Sequence, residues 1–141
     1  MNRPLQRGAV WLFRATVLIH TALLGAQPVL IGLFLSGDST KLQAHSTVGS
    51  AILTACAAQG VAAILVWRPG RWSIRPFAIT LAMFIAELIQ LTAGYARNLG
   101  LHVPLGVALV TTGVILTTWA WWPRRPPHTP VEDQTTSGAM Q

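Results

Sequence analysis

Residues 45–67 read HSTVGSAILTACAAQGVAAILVW, a run that contains no Asp, Glu, Lys or Arg. An α-helix needs about 20 apolar residues to cross the hydrocarbon core of a bilayer. Similar runs occur at 15–35, 77–95 and 103–122. Because every backbone polar group in hydrocarbon must be satisfied within its own segment, these runs predict helices and not strands. The sequence therefore predicts an all-α membrane protein with four transmembrane helices.

The composition agrees with a protein that lives in lipid. Hydrophobic residues make up 52% of the chain and charged residues only 10%, whereas a soluble domain has about 25% charged residues. The net charge of +6 could suggest nucleic acid. The basic residues lie in short bursts between apolar runs, so no nucleic-acid-binding face is expected. The single cysteine, Cys56, lies inside an apolar run and is expected to be a small packing residue.

The basic residues and the tryptophans predict the orientation. Eight of the ten basic residues flank the runs on one side, namely Arg3, Arg7, Arg14, Arg68, Arg71, Arg75, Arg124 and Arg125. The tryptophans lie on the same side, at Trp11, Trp67, Trp72, Trp119, Trp121 and Trp122. Basic loops stay in the cytoplasm and tryptophans favour the interface, so both termini are predicted to be cytoplasmic. Arg14 is expected to extend toward the headgroups.

Short connections predict an up-down-up-down bundle. The expected organisation is a cytoplasmic segment at 1–14, a transmembrane domain at 15–122, and a cytoplasmic tail at 123–141. The tail is rich in proline and polar residues and has nothing to bury, so it is predicted to be disordered.

The two halves of the chain share a short motif, which predicts that the bundle consists of two helix-pair repeats. Each half has Gln and then Gly near the end of one helix, followed by H-x-x-x-G at the start of the next. The residues are Gln27, Gly32, His45 and Gly49 in the first half, and Gln90, Gly94, His102 and Gly106 in the second. The separation of Gln and Gly is five residues in one half and four in the other.

The motif places two histidines at the same depth. His45 and His102 begin the second and fourth helices, which run in the same direction on diagonal or adjacent positions of the bundle. Gly49 and Gly106 follow one turn later on the same face, where the missing side chain lets a flat macrocycle approach the backbone. Two opposed neutral imidazoles suit the axial ligation of a haem iron, and haem b is the predicted cofactor.

Each ligating histidine needs an acceptor for its second ring nitrogen. Gln27, Gln90, Gln43 and loop carbonyls are the candidates. Two other interpretations stay open. The histidines could simply form hydrogen bonds at the membrane boundary. A zinc site is disfavoured, because no Cys, Asp or Glu lies in the same repeat element to complete four ligands.

His20 and Glu87 are the ionisable residues inside the predicted spans, and such residues usually face the bundle interior. From the ~1.5 Å rise per residue, their depths differ by about one turn. The favoured interpretation is an interhelical hydrogen bond with a protonated Glu87. A proton relay, a quinone-facing site or a second haem at His20 are the alternatives. Gln59, Thr54 and Gly60 resemble ordinary helix-packing residues.

The motif residues, over about 15–122, resemble one four-helix half of haem A synthase. They resemble more closely a group of small four-helix bacterial membrane proteins of uncharacterised function. In haem A synthase each half has a haem-ligating histidine on its second and fourth helices, which correspond here to His45 and His102. That enzyme has two such halves and an extracytoplasmic Glu. This chain is one unit with only Asp38 in its first outer loop, so the resemblance implies haem-b binding more than haem A synthesis.

The resemblance also implies the bacterial inner membrane. The first hypothesis is a bis-histidine haem-b protein with an electron-transfer or haem-handling role and a redox partner. The alternative is a cofactor-free accessory or scaffold subunit of a larger membrane complex, and a binder of lipid or a small apolar ligand is weaker. No phosphate-binding glycine loop, H-E-x-x-H or nucleophile elbow occurs, so an autonomous enzyme is disfavoured.

Overall fold

The computed structural model describes residues 3–68 and 73–122, and these form four α-helices. The helices are α1 (Arg3–Leu35), α2 (Thr40–Trp67), α3 (Arg75–Tyr95) and α4 (Leu99–Trp121). All four are long and apolar enough to cross a membrane. The predicted all-α, four-helix, up-down-up-down membrane bundle is therefore confirmed. The tail predicted at 123–141 lies outside the described residues.

The helices pack in a ring. Helix α1 packs against α2 and α4, and α3 packs against the same two helices. Helices α2 and α4 therefore occupy one diagonal of the bundle, and α1 and α3 occupy the other. Of the two arrangements that the sequence left open for the histidine-bearing helices, the structure has the diagonal one.

The helices begin before the apolar runs that predicted them. Helix α1 starts at Arg3, so most of the predicted segment 1–14 continues the first membrane helix. Helices α2 and α4 start at Thr40 and Leu99, about one turn earlier than expected. Hydropathy marks only the hydrocarbon-spanning part of a helix. The helix itself continues into the interface until a capping residue ends it.

The loops at 36–39 and 96–98 share one hydrogen-bond pattern. The N–H groups of Asp38 and Asn98 each donate to the carbonyl five residues earlier, as in a Schellman motif. The residue before each donor has a positive φ, 107° at Gly37 and 56° at Arg97. The side-chain oxygens of Asp38 and Asn98 then accept N–H groups from the first turn of the next helix. The similarity between the two halves thus includes their loops.

The outer surface of the bundle is apolar. Large hydrophobic side chains are exposed on every helix, including Ile19, Val61, Ile85 and Ile115. Soluble monomers rarely expose such an extended apolar surface, whereas in a bilayer these side chains contact lipid. The interior is a narrow core to which all four helices contribute.

Opposite the two paired loops, Arg14 joins α1 to α4. Its Nε donates to the carbonyl oxygen of Ala120 at 2.9 Å. Its guanidinium lies 5.5 Å from the ring centroid of Trp11 and 5.2 Å from that of Trp121. The carbonyl of Ala120 belongs to the last turn of α4, where it has no intrahelical partner. Arg14 therefore joins α1 to the last turn of α4, and its extension toward the headgroups stays a prediction.

Candidate functional site

His45 and His102 lie together at the histidine end, which we define as the end of the bundle that carries the loops 36–39 and 96–98. Their ring centroids are 6.1 Å apart, and the ring planes meet at 61°. Both residues are half-buried. Two imidazoles on opposite sides of one metal ion would place their centroids about 6 Å apart, because each metal–nitrogen bond is about 2 Å. The observed separation is compatible with a shared metal.

Backbone carbonyls of the two repeat glutamines stand behind the rings. His102 Nδ1 lies 3.0 Å from the carbonyl oxygen of Gln90. Since a carbonyl only accepts, Nδ1 donates, and Nε2 of the neutral ring keeps its lone pair. The carbonyl of Gln27 is the corresponding neighbour of the His45 ring. It falls short of a full hydrogen bond, and His45 Nδ1 is buried without a partner among the described residues.

The side chains of the two glutamines fill the space beside the repeat glycines. A Cβ added at Gly49 would lie 3.4 Å from Gln27 Nε2, and one added at Gly106 would lie 2.8 Å from Gln90 Nε2. Gln27 Nε2 also donates to the carbonyl of His45 at 3.3 Å. The glycines were expected to leave room for a macrocycle. In this structure they accommodate the glutamine amides, so a macrocycle resting on the glycines requires the amides to rotate.

The other two glycines of the motif are not equivalent. A Cβ at Gly94 would lie 3.0 Å from Cε1 and 3.1 Å from Nδ1 of His102, so the absent side chain makes room for the ring. A Cβ at Gly32 would meet no heavy atom within 4 Å among the described residues. The glycine after the glutamine therefore has a packing role only in the second half.

The Gln and His of the motif are 18 residues apart in the first half and 12 in the second, and this difference has a simple geometric cause. Gln and His lie 11 and 7 residues from Asp38 in the first half, but 8 and 4 residues from the corresponding Asn98 in the second. The difference is three residues in both helices of the pair, which is nearly one helical turn. The first hairpin is thus one turn longer, and its Gln and His recede from the loop together. This keeps both histidines at one depth.

Three polar atoms of this region are buried without a hydrogen-bond partner among the described residues. They are Gln27 Oε1, Gln90 Oε1 and His45 Nδ1. Buried polar groups in proteins are nearly always paired, and an exception often indicates a bound molecule or ion. The histidine end therefore combines two neighbouring imidazoles with buried polar atoms. A bound metal-centred cofactor or ordered water would give these atoms partners.

Deeper in the bundle, the structure brings His20 and Glu87 into direct contact. His20 Nε2 lies 2.7 Å from Glu87 Oε1, and both side chains are buried. The favoured sequence interpretation was an interhelical hydrogen bond of this kind. One proton lies on this bond, whichever of the two atoms holds it. The second carboxyl oxygen of Glu87 is buried without a partner among residues 3–68 and 73–122.

A chain of hydrogen bonds fixes the tautomer of His20. The Thr80 hydroxyl donates to the carbonyl of Pro76 at 2.8 Å, so its oxygen is free to accept. Gln59 Nε2 donates to that oxygen at 2.8 Å, which turns Gln59 Oε1 toward His20. His20 Nδ1 lies 2.9 Å from Gln59 Oε1 and must therefore donate to it. The proton of a neutral His20 is on Nδ1, and Nε2 faces Glu87.

The mid-bundle cluster comprises five residues, His20, Cys56, Gln59, Thr80 and Glu87, and sequence reasoning missed three of them. Gln59 was interpreted as ordinary packing, Cys56 as a small core residue, and Thr80 was not singled out. Cys56 is indeed buried, and its Sγ donates to the carbonyl of Thr80 at 3.6 Å. A usable signal existed, because Gln59 lies three residues from Cys56 and hence on the same face of α2.

The two sites lie one above the other. Gln90 is three residues after Glu87 on α3, and Gln27 is seven residues after His20 on α1, so each pair shares a helix face.

Comparison with known proteins adds no relative: no family model, curated protein or solved structure matches this chain.

Proposed function

We propose that this chain is a haem-b protein of the bacterial inner membrane, in which His45 and His102 would hold the haem iron, and that it has an electron-transfer or haem-handling role. The observation that carries the proposal is the 6.1 Å separation of the ring centroids of His45 and His102. When bound, haem supplies a one-electron redox centre. The resemblance of the motif to one half of haem A synthase points to the same ligands.

In this proposal the chain's own residues orient and enclose the ligands. The carbonyl of Gln90 accepts from His102 Nδ1 and leaves Nε2 for the metal. Gly94 leaves space for the His102 ring. The carbonyl of Gln27 would have the same role toward His45. The apolar bundle below limits the access of water to the site.

The proposal also includes the orientation, with both termini in the cytoplasm. Its support is the concentration of arginine and tryptophan at the end opposite the histidines, where Arg14, Trp11 and Trp121 interact. Reporter fusions test it. A fluorescent protein fused after Gln141 should fold in the cytoplasm, and alkaline phosphatase fused at the same position should be inactive. Active phosphatase at this position would show that the C-terminus lies outside the cytoplasm.

The optical spectrum of purified protein from a haem-supplied host tests the cofactor. We expect a Soret band and sharp reduced α and β bands, both lost in His45→Ala and in His102→Ala. His128→Ala is the matched control, because His128 lies in the tail, and it should keep the spectrum. Colourless wild-type protein, or a spectrum that survives both ligand substitutions, would rule the proposal out.

A second candidate is a cofactor-free accessory or scaffold subunit of a larger membrane complex. The observation that favours it is that the side chains of Gln27 and Gln90 fill the space beside Gly49 and Gly106. A bundle packed in this way needs no cofactor to fill that space. This candidate predicts comigration with a partner in native detergent gels. It also predicts a melting temperature that neither His45→Ala nor His102→Ala lowers by more than a few degrees.

A further inference from the structure

The mid-bundle cluster contains three side chains that ligate metals in proteins. One ligand atom each of His20, Cys56 and Glu87 lies within 4.8 Å of the other two. The residues come from three different helices, and their exposed fractions are 1%, 0% and 4%. Ligands around a tetrahedral Zn²⁺ are about 3.3–3.8 Å apart for bonds of about 2.0–2.3 Å. Side-chain adjustments alone therefore bring the three atoms to ligand spacing.

The hydrogen bonds around His20 present the correct nitrogen to a metal. A metal-ligating histidine usually donates its other ring N–H to a protein acceptor, which fixes the tautomer. His20 Nδ1 donates to Gln59 Oε1 in this manner, and Gln59 is held in turn by Thr80. Nε2, the atom that faces Glu87, is thus the one available for coordination. The orienting interactions of a metal site are present around a histidine in the middle of a membrane.

The cluster also contains a carboxyl oxygen that has no hydrogen-bond partner among the described residues. This atom, Glu87 Oε2, is buried. Leaving a carboxyl oxygen buried and unpaired costs free energy that a bound cation would recover. The Cys56 thiol donates to the carbonyl of Thr80 at 3.6 Å, and an S–H group is a weak hydrogen-bond donor. Exchange of this hydrogen bond for a metal bond therefore sacrifices little.

We propose that His20, Cys56 and Glu87 form a binding site for Zn²⁺ inside the bundle. Imidazole nitrogen, thiolate sulfur and carboxylate oxygen are the three donor types that Zn²⁺ uses in proteins. With three protein ligands, a water molecule would take the fourth position, as it does in many zinc sites. The site is separate from the proposed haem ligands, because Cys56 is eleven residues, or about 16 Å, along α2 from His45.

The exchange of protons for metal balances in charge. Without metal, the cluster holds the thiol proton of Cys56 and the single proton on the His20–Glu87 bond. Binding of Zn²⁺ releases both protons, and a thiolate and a carboxylate then neutralise the two positive charges of the ion. The cluster is electrically neutral in both states, which is the condition for stability at low dielectric. Metal binding therefore releases two protons and leaves the His20 Nδ1–H in place.

Cobalt titration of the full-length chain tests the site. The protein is made without an affinity polyhistidine and carries His45→Ala and His102→Ala, so that neither haem nor the histidine end contributes. Co²⁺ replaces colourless Zn²⁺ as the probe. We expect binding of one Co²⁺ with a near-ultraviolet thiolate-to-metal band, about two protons released per ion, and displacement by Zn²⁺. Because Cys56 is the single cysteine, a thiolate-to-metal band identifies Cys56 as a ligand.

Substitutions in the same background identify the ligands. Cys56→Ser should abolish the thiolate band and weaken binding at least tenfold, and Glu87→Gln should weaken it by a similar factor. Thr54→Val, on the exposed face of the same helix, should leave the titration unchanged. Absence of the thiolate band in folded protein, or Co²⁺ affinity that is unchanged by Cys56→Ser, overturns the proposal. Since the background contains no haem ligands, neither result bears on haem binding.

Discussion

His20 Nδ1 lies 2.9 Å from Gln59 Oε1, and this contact determines which nitrogen of the imidazole holds the proton. Gln59 turns its oxygen to His20 because its nitrogen donates to the Thr80 hydroxyl. That hydroxyl has already used its own proton on the carbonyl of Pro76. A helix backbone carbonyl thus sets, through two intervening side chains, the state of a histidine in the middle of the bundle.

Replacement of Thr80 should release this constraint. In Thr80→Val, Gln59 Nε2 loses its acceptor, and a buried donor without a partner costs about 1–3 kcal/mol of unfolding free energy. ¹⁵N NMR should show the Nδ1–H tautomer of His20 in the wild type and a mixture in the variant. Thr111→Val is the control, because Thr111 is exposed and donates only to its own helix. Equal losses of stability in both variants would contradict the chain of hydrogen bonds.

The fold could be predicted from the sequence because membrane helices leave few alternatives. The apolar runs alone require helices, and the loop lengths determine which helices are antiparallel. The helix ends were less predictable, because capping by Asp38 and Asn98 depends on single side chains and not on hydropathy. The diagonal placement of α2 and α4 depends on packing between all four helices, which no local pattern encodes.

The site was predictable where the residues repeat and unpredictable where they do not. His45 and His102 were identified because each half of the chain carries the same motif. Cys56, Gln59 and Thr80 occur in one half only, and each is common as a packing residue in membrane helices. Their contact depends on how α2 and α3 are rotated about their own axes. Consecutive side chains on a helix point about 100° apart, so the depth of a residue does not show which helix it faces.

Gly94 should be required for the position of His102, whereas Gly32 should not. A Cβ at Gly94 would lie 3.0 Å from the His102 ring, and a Cβ at Gly32 would meet nothing within 4 Å among the described residues. We expect Gly94→Ala to lower haem occupancy severalfold, or to shift the reduced α band, in protein that binds haem. Gly32→Ala should match the wild type. Identical spectra and occupancy for the two variants would show that Gly94 does not place the ring.

Thr40 should control the acidity of Asp38 in the loop 36–39. The Thr40 hydroxyl donates to Asp38 Oδ1 at 2.6 Å, and the Thr40 N–H donates to the same oxygen. These bonds, aided by Lys41, hold the pKa of Asp38 below its ordinary value of 3.8. Because the folded pKa is lowered, the stabilisation exists above pH 3.8 and is lost as the pH falls through the folded pKa.

Carboxyl ¹³C titration by NMR measures this effect. In Thr40→Val the hydroxyl is absent and the backbone N–H remains, so the pKa of Asp38 should rise toward 3.8. Ser39→Ala is a suitable control, since Ser39 makes no side-chain capping hydrogen bond, and it should leave the pKa where it is. A pKa of Asp38 that Thr40→Val does not raise would assign the shift to the remaining Thr40 N–H and to Lys41.

Arg14 should not be replaceable by lysine. Its planar guanidinium donates to the carbonyl of Ala120 and stacks near Trp11 and Trp121, and an ammonium group cannot do both. We expect Arg14→Lys to lower the unfolding free energy by about 1–2 kcal/mol. The exposed Arg7 provides the control, and Arg7→Lys should change stability by less than about 0.5 kcal/mol. A wild-type melting curve for Arg14→Lys would mean that charge alone suffices.

The close packing of α1 against α4 should depend on the absence of a side chain at Gly113. A Cβ there would lie 3.0 Å from Thr21 Oγ1 and 3.2 Å from Leu24 Cδ1. Thr21 is not free to move aside, because its hydroxyl is hydrogen-bonded to that of Thr117 at 2.8 Å. Small residues let membrane helices approach closely. Gly113→Ala should therefore separate the helices and cost about 1–3 kcal/mol.

Gly25→Ala distinguishes this steric effect from the general effect of replacing a helical glycine. A Cβ at Gly25 would meet no described heavy atom within 4 Å, and alanine in a helix is favoured over glycine by about 0.5–1 kcal/mol. Unfolding in mixed micelles should show Gly25→Ala to be as stable as the wild type or slightly more so. Gly113→Ala should unfold at lower denaturant. If both substitutions stabilise the protein, α1 and α4 are not in close contact at Gly113.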